Sequence, residues 1–141
     1  MSGFTSKDAA LIVSAKPSGT TATTAASNAI NLGAIDVVGV RSEPFELEVA
    51  IPAFTATELP SDATLTIKLQ SSNDSTFASG VTDAISATIG DGTAAAAAVW
   101  KYKPTLKGDQ YWRVAITTTL ANSGAVADTA QAKSVTLSYV C

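Results

Sequence analysis

"PFELEVAIPAF", residues 44–54, alternates from end to end. Phe45, Leu47, Val49 and Ile51 fall on one side, and Glu46, Glu48 and Ala50 on the other. Successive side chains of a strand point to opposite faces, so the segment reads as a strand with one apolar and one wet face. Pro52 has no N–H to give to a ladder and marks an edge position, a bulge or the strand's end.

The same period recurs in both directions along the chain. "ATLTIKLQ" (63–70) sets Leu65, Ile67 and Leu69 against Thr64, Thr66, Lys68 and Gln70. "AALIVSA" (9–15), "NAINLGA" (28–34), "AISATIG" (84–90), "AVWKYKP" (98–104), "QYWRVAITTTL" (110–120) and "KSVTLSYVC" (133–141) complete the set. About eight strands separated by Gly, Pro, Asn, Asp and Ser clusters predict an all-β, antiparallel sandwich or barrel. The expected core is Leu47, Val49, Leu65, Ile67, Trp112, Val114, Ile116 and Leu137.

Two polar segments without an apolar pattern, 16–27 and 121–132, are expected as exposed loops. The five alanines in "TAAAAAVW" (93–100) favour helix. The run is too short to stand alone as a helix, and "GDG" (90–92) before it signals a turn. It is expected to be an extended lead into the strand holding Trp100, slim enough for another backbone to approach.

The chain has 141 residues, a length suited to one domain with a core of its own. We divide it into a short N-terminal arm, 1–8, and a sandwich domain, 9–141. Hydrophobic residues make up 46% and charged residues only 15%, so the polar surface must come from Thr, Ser, Asn and Gln. The formal net charge is −3, and the nine basic residues form no run, which argues against a nucleic-acid partner. No apolar run approaches the roughly 20 residues of a membrane span, so no membrane partner is expected. In "MSGFTSKDAALIVSAK" Lys7 and Asp8 precede only a short apolar patch, unlike a signal peptide, and synthesis in the cytoplasm is expected.

The sequence has no histidine, and its single cysteine is Cys141. Cys/His zinc sites, an internal disulfide, and Ser-His-Asp or Cys-His catalysis are therefore excluded. No enzymatic activity and no cofactor are expected. Glu43, Glu46, Glu48 and Glu58 are the nearest carboxylate cluster, and Glu46 and Glu48, about 7 Å apart on one strand face, have a spacing used by glycosidases. Alternation puts them toward solvent, where Lys68 or Arg113 on a paired strand would be ordinary partners.

Two further places deserve a functional reading. "SSNDSTF" (71–77) offers Asn73, Asp74 and Ser75 oxygens and the Phe77 ring to calcium or a sugar. Calcium takes six to eight oxygens, several anionic, and only Asp74 is charged there. Asn and Asp also bond their own backbone in turns, which would make the segment a corner with Phe77 plugging the end of the sandwich. Among the aromatics, Trp100 and Tyr102 share one face, and Trp112 shares its face with Val114 and Ile116. Tyr111 must then point the other way, available to a protein neighbour or a sugar.

"ALIVSA", a Thr/Ala-rich loop, "NAINLGA", "PFELEVAI" and "ATLTIKLQSSNDSTF", followed by "YWRVAITTT" and a final "VTLSYV", resemble the capsid cement (decoration) proteins of tailed bacteriophages. The likeness spans roughly residues 9 to 140. It implies a jelly-roll sandwich that acts as a structural protein on the outer face of the virion, bridging neighbouring subunits of the major capsid protein. It also implies self-association and a contact role for the arm and exposed strand edges. Phe4 and Lys7 of the arm, with Tyr111, are the candidate contacts. A homo-oligomer is expected, a trimer ahead of a dimer, because closed rings fit an icosahedral lattice. Cys141 belongs to no motif of the family. A carbohydrate- or receptor-binding sandwich, such as a phage fibre module, is the alternative.

Overall fold

A computed structural model describes residues 12–32, 46–103, 109–122 and 124–140. Phe4, Lys7, the arm and Cys141 lie outside them. The described residues form nine strand segments and one short helix: β1 (Ile12–Ala15), β2 (Thr23–Ala26), β3 (Ile30–Asn31), β4 (Glu46–Ile51), β5 (Ala63–Ser72), β6 (Thr82–Gly90), β7 (Ala98–Tyr102), β8 (Tyr111–Leu120), α1 (Asp128–Gln131) and β9 (Val135–Val140). They build two antiparallel sheets, ordered β1-β9-β4-β7 and β2-β8-β5-β6. The expected β-sandwich is the architecture seen.

Alternation decides which side chains enter the space between the sheets. Leu47 and Val49 of β4, Leu65, Ile67 and Leu69 of β5, Val114 and Ile116 of β8, and Val135 and Leu137 of β9 are fully buried. Trp112 is 3% exposed. All eight expected core residues therefore lie inside. Each large aliphatic side chain removed from water in this way contributes about 1.5–3 kcal/mol. Pro52 follows directly on Ile51 and ends β4.

The segment 16–27, expected as a loop, contains β2. Its Thr and Ala residues lack an apolar signature because both faces of an edge strand here need only small side chains against β8. β2 and β3 lie on the same side of β8, since β5 occupies the other side along its full length. Between them the register slips: Ala26 stands opposite Ala115, and Ile30 opposite Trp112. Three residues, 27–29, thus face two, as in a β-bulge. Buried Ser27 holds the ladder together there. Its N–H donates to Val114 O (2.9 Å), and its Oγ accepts from Val114 N (3.1 Å) while donating to Asn28 O (2.8 Å). The segment 121–132 contains α1, with Ala130 packed into the core.

The alanine run is extended as expected. Ala95 exchanges two backbone hydrogen bonds with Phe54, at 2.8 and 2.9 Å, so the small side chains admit a neighbouring backbone. Before it, Gly90 turns with φ +108°, and a Cβ there would come within 2.5 Å of Ala63 O. Only glycine fits this turn without strain.

Candidate functional site

The segment after β5 is a corner that folds back on the outer face of its sheet. Asp74 organises it: Oδ1 accepts from Thr76 Oγ1 (2.7 Å) and Thr76 N (2.9 Å), and Oδ2 from Ala78 N (3.2 Å). The Thr76 hydroxyl, then the Thr76 amide, hold the Asp74 pKa below the usual carboxylate value. Ser72 Oγ accepts from Asp74 N (2.9 Å) and donates to Ser79 O (2.8 Å). Asn73 Oδ1 accepts from Gln110 N (3.0 Å). The Asn73 Oδ1 and both Asp74 carboxylate oxygens are thus engaged in closing the turn.

Phe77 does not plug the gap between the sheets. It is buried but stands outside the core cluster, and the Arg113 guanidinium lies 4.3 Å from its ring centroid. Arg113 stands opposite Gln70, whose Oε1 accepts from Arg113 Nε at 3.1 Å. Both belong to the outer face, so the ring is capped by a cation instead of the core. Phe77 also has φ +56°, a strained choice for an aromatic residue. Beside the corner a shallow hollow of about 400 Å³ is lined by Asn73, Asp74, Ser79, Gly80 and Asp109. Asp109 Oδ2 accepts there from Ser71 Oγ at 2.7 Å.

The aromatic residues do not form one platform. Trp112 is in the core, its indole N–H donating to Asp109 O (2.9 Å), and Tyr102 packs on it with ring centroids 5.3 Å apart. Trp100 is half-buried against the same core. Tyr111 lies on the opposite face of β8 from Trp112, half-buried between Asn31 and Ser72 in register.

Lys68 and Arg113 do not face Glu46 and Glu48, because β4 belongs to the other sheet. Glu48 stands opposite Lys101 and Ser138. Lys68 pairs instead with Asp83 at 2.9 Å, and that hydrogen bond, followed by one from Gln70, lowers the Asp83 pKa. Among the described residues no three acidic or cysteine side chains gather as a metal group, and no helix is long and apolar enough to cross a membrane.

Sequence reasoning grouped Glu58 with the other glutamates and missed its place. Thr55 N donates to Glu58 Oε1 (3.0 Å) and Glu58 N to Thr55 Oγ1 (3.1 Å), a reciprocal cap on the turn after β4. Lys133 Nζ reaches across from the segment before β9 and donates to Glu58 Oε1 and Ala53 O, both 2.6 Å. The Lys133 bond and then the Thr55 amide push the Glu58 pKa down to about 2. The Thr-x-x-Glu spacing was the available signal.

The second sheet's outer face is a hydroxyl grid. Thr24, Thr117, Thr66 and Thr88 form a row across all four strands. Thr24 and Thr117 hydroxyls are 2.8 Å apart, and those of Thr66 and Thr88 3.1 Å. The flanking rows hold Thr64 with Thr119, and Lys68 with Ala115 and Ser86. Comparison with protein-family models, with curated proteins and with solved structures finds no match.

Proposed function

We propose that the chain is a structural cement protein that binds the outer surface of a phage capsid and bridges major capsid protein subunits. The observation that carries this is the hydroxyl grid, a broad sheet face whose charges are few: the Lys68–Asp83 pair and Arg113 over the Phe77 ring. Such a face matches a neighbour by shape, and repeated weak contacts on a symmetric shell raise effective affinity by roughly 10²–10⁴. The sequence resemblance points the same way.

The finer fold in this proposal is a jelly roll. With β2 and β3 counted as one interrupted strand, eight strands pair as the first with the last, the second with the seventh, the third with the sixth and the fourth with the fifth. That is the pairing of one long antiparallel ribbon wrapped over itself, and β4·β9 and β5·β8 close the two sheets.

The protein acts as a homo-oligomer on the virion exterior, with Phe4, Lys7 and Tyr111 as contact residues and no catalytic step. Co-sedimentation of purified protein with assembled shells tests this, with a sugar titration run alongside. Saturable binding to shells is expected. Saturable sugar binding with tryptophan quenching and no shell binding would favour the fibre-module alternative.

A further inference from the structure

Among the described residues the two sheets end in four edges, and three of them are poor templates for another strand. β1 is four residues long, β2 and β3 are broken by the Ser27 bulge, and five-residue β7 carries Lys101. Short length, bulges and lysine are devices that blunt an edge. β6 has none of them between Ile85 and Gly90. Its own bulge lies earlier, at Ala84, and its single charge, Asp83, lies beyond that bulge, held by Lys68.

The inward side chains of this edge are incompletely covered. Ile85, Ala87 and Ile89 stand opposite Leu69, Ile67 and Leu65, all fully buried, yet the β6 residues remain half-exposed. A half-covered apolar row beside an edge that no described strand pairs suits a further strand. The order of residues is also self-complementary. An antiparallel copy centred on Ala87 places Ile85 against Ile89 of the second copy on the inner face. On the outer face it places Ser86 against Thr88, repeating the hydroxyl pairing of the grid.

We infer that β6 pairs with β6 of a second copy about a two-fold axis through Ala87, joining two sandwiches through one continuous sheet. An edge paired with itself closes at two copies, so this surface makes a dimer and not a ring of three. The five paired residues, Ile85–Ile89, span about 17 Å. With a two-layer edge of similar height, about 300 Å² is buried per copy, well under half of the roughly 800 Å² in a standard interface. So small a contact makes a weak dimer, suited to being completed on a shell. The inference rests on the self-association proposed above, not on the capsid.

Sedimentation equilibrium of the full chain across micromolar concentrations tests it, together with cysteine cross-linking in a Cys141→Ser background. Opposed residues at the axis have Cα atoms about 4.5–5.5 Å apart, within disulfide range. Ala87→Cys is expected to give a covalent dimer under mild oxidation, and Thr24→Cys, on the far edge of the same sheet, is not. A monomer at the highest concentration, a trimer, or equal cross-linking of the two variants would overturn the inference. Shell binding is read separately, so a dimer that ignores capsids sinks the capsid proposal and leaves this one standing.

Discussion

Trp112 and Tyr111 are neighbours with opposite duties. Alternation sends Trp112 between the sheets, where its indole N–H still finds Asp109 O, and leaves Tyr111 outside. Trp112→Ala should cost about 3–5 kcal/mol on denaturant titration, since the void lies under Tyr102 and cannot readily collapse. A loss under about 1 kcal/mol would contradict its place in the core. Asp74→Ala should lower the melting temperature slightly, and added calcium should leave that of the native protein unchanged. A calcium-dependent rise would mean that the corner is a site. The corner was legible in Asp74, whose bonds to Thr76 and Ala78 are local, whereas the Gln110 amide that bonds Asn73 comes from far along the chain. The position of Phe77 was not legible, because its partner Arg113 lies far along the chain and pairs through β5–β8 register.

At the scale of elements, sequence reveals what alternation writes and hides what long-range pairing decides. β4, β5 and β8 were plain because their buried faces are Leu, Ile and Val. β2 was invisible because an edge strand of Thr and Ala has no apolar face to show. The bolt between the β4–β5 turn and the segment before β9 was hidden for the same reason, since Glu58 and Lys133 meet only in the fold. Its pH dependence has a definite sign. The Glu58 pKa falls from 4.5 to about 2 on folding, so its stabilisation is full above pH 4.5 and is lost as pH drops toward 2. Urea midpoints measured across that window should fall with pH, less steeply in Glu58→Gln. Equal slopes would remove Glu58 from the account. Gly90→Ala should lower the melting temperature clearly, through the clash with Ala63 O and the positive φ.

For the molecule as described, the two sheets present broad outer faces and, among the described residues, one long edge at β6. A stiff two-layer body with little charge to steer it is suited to repeated contact. Deleting residues 1–7, with Phe4 and Lys7, should leave the sandwich's melting curve intact and weaken attachment to shells. Unchanged decoration would move the contacts to the sheet faces, the β6 edge and Tyr111. The central claim meets its most direct measurement in purified virions, where the ratio of this chain to the major shell protein is read by quantitative mass spectrometry. The cement account predicts a fixed ratio of the order of one to one on the mature particle, lost when the chain is stripped and restored when it is added back. Absence from the shell, or a few copies confined to tail or fibre fractions, would contradict it.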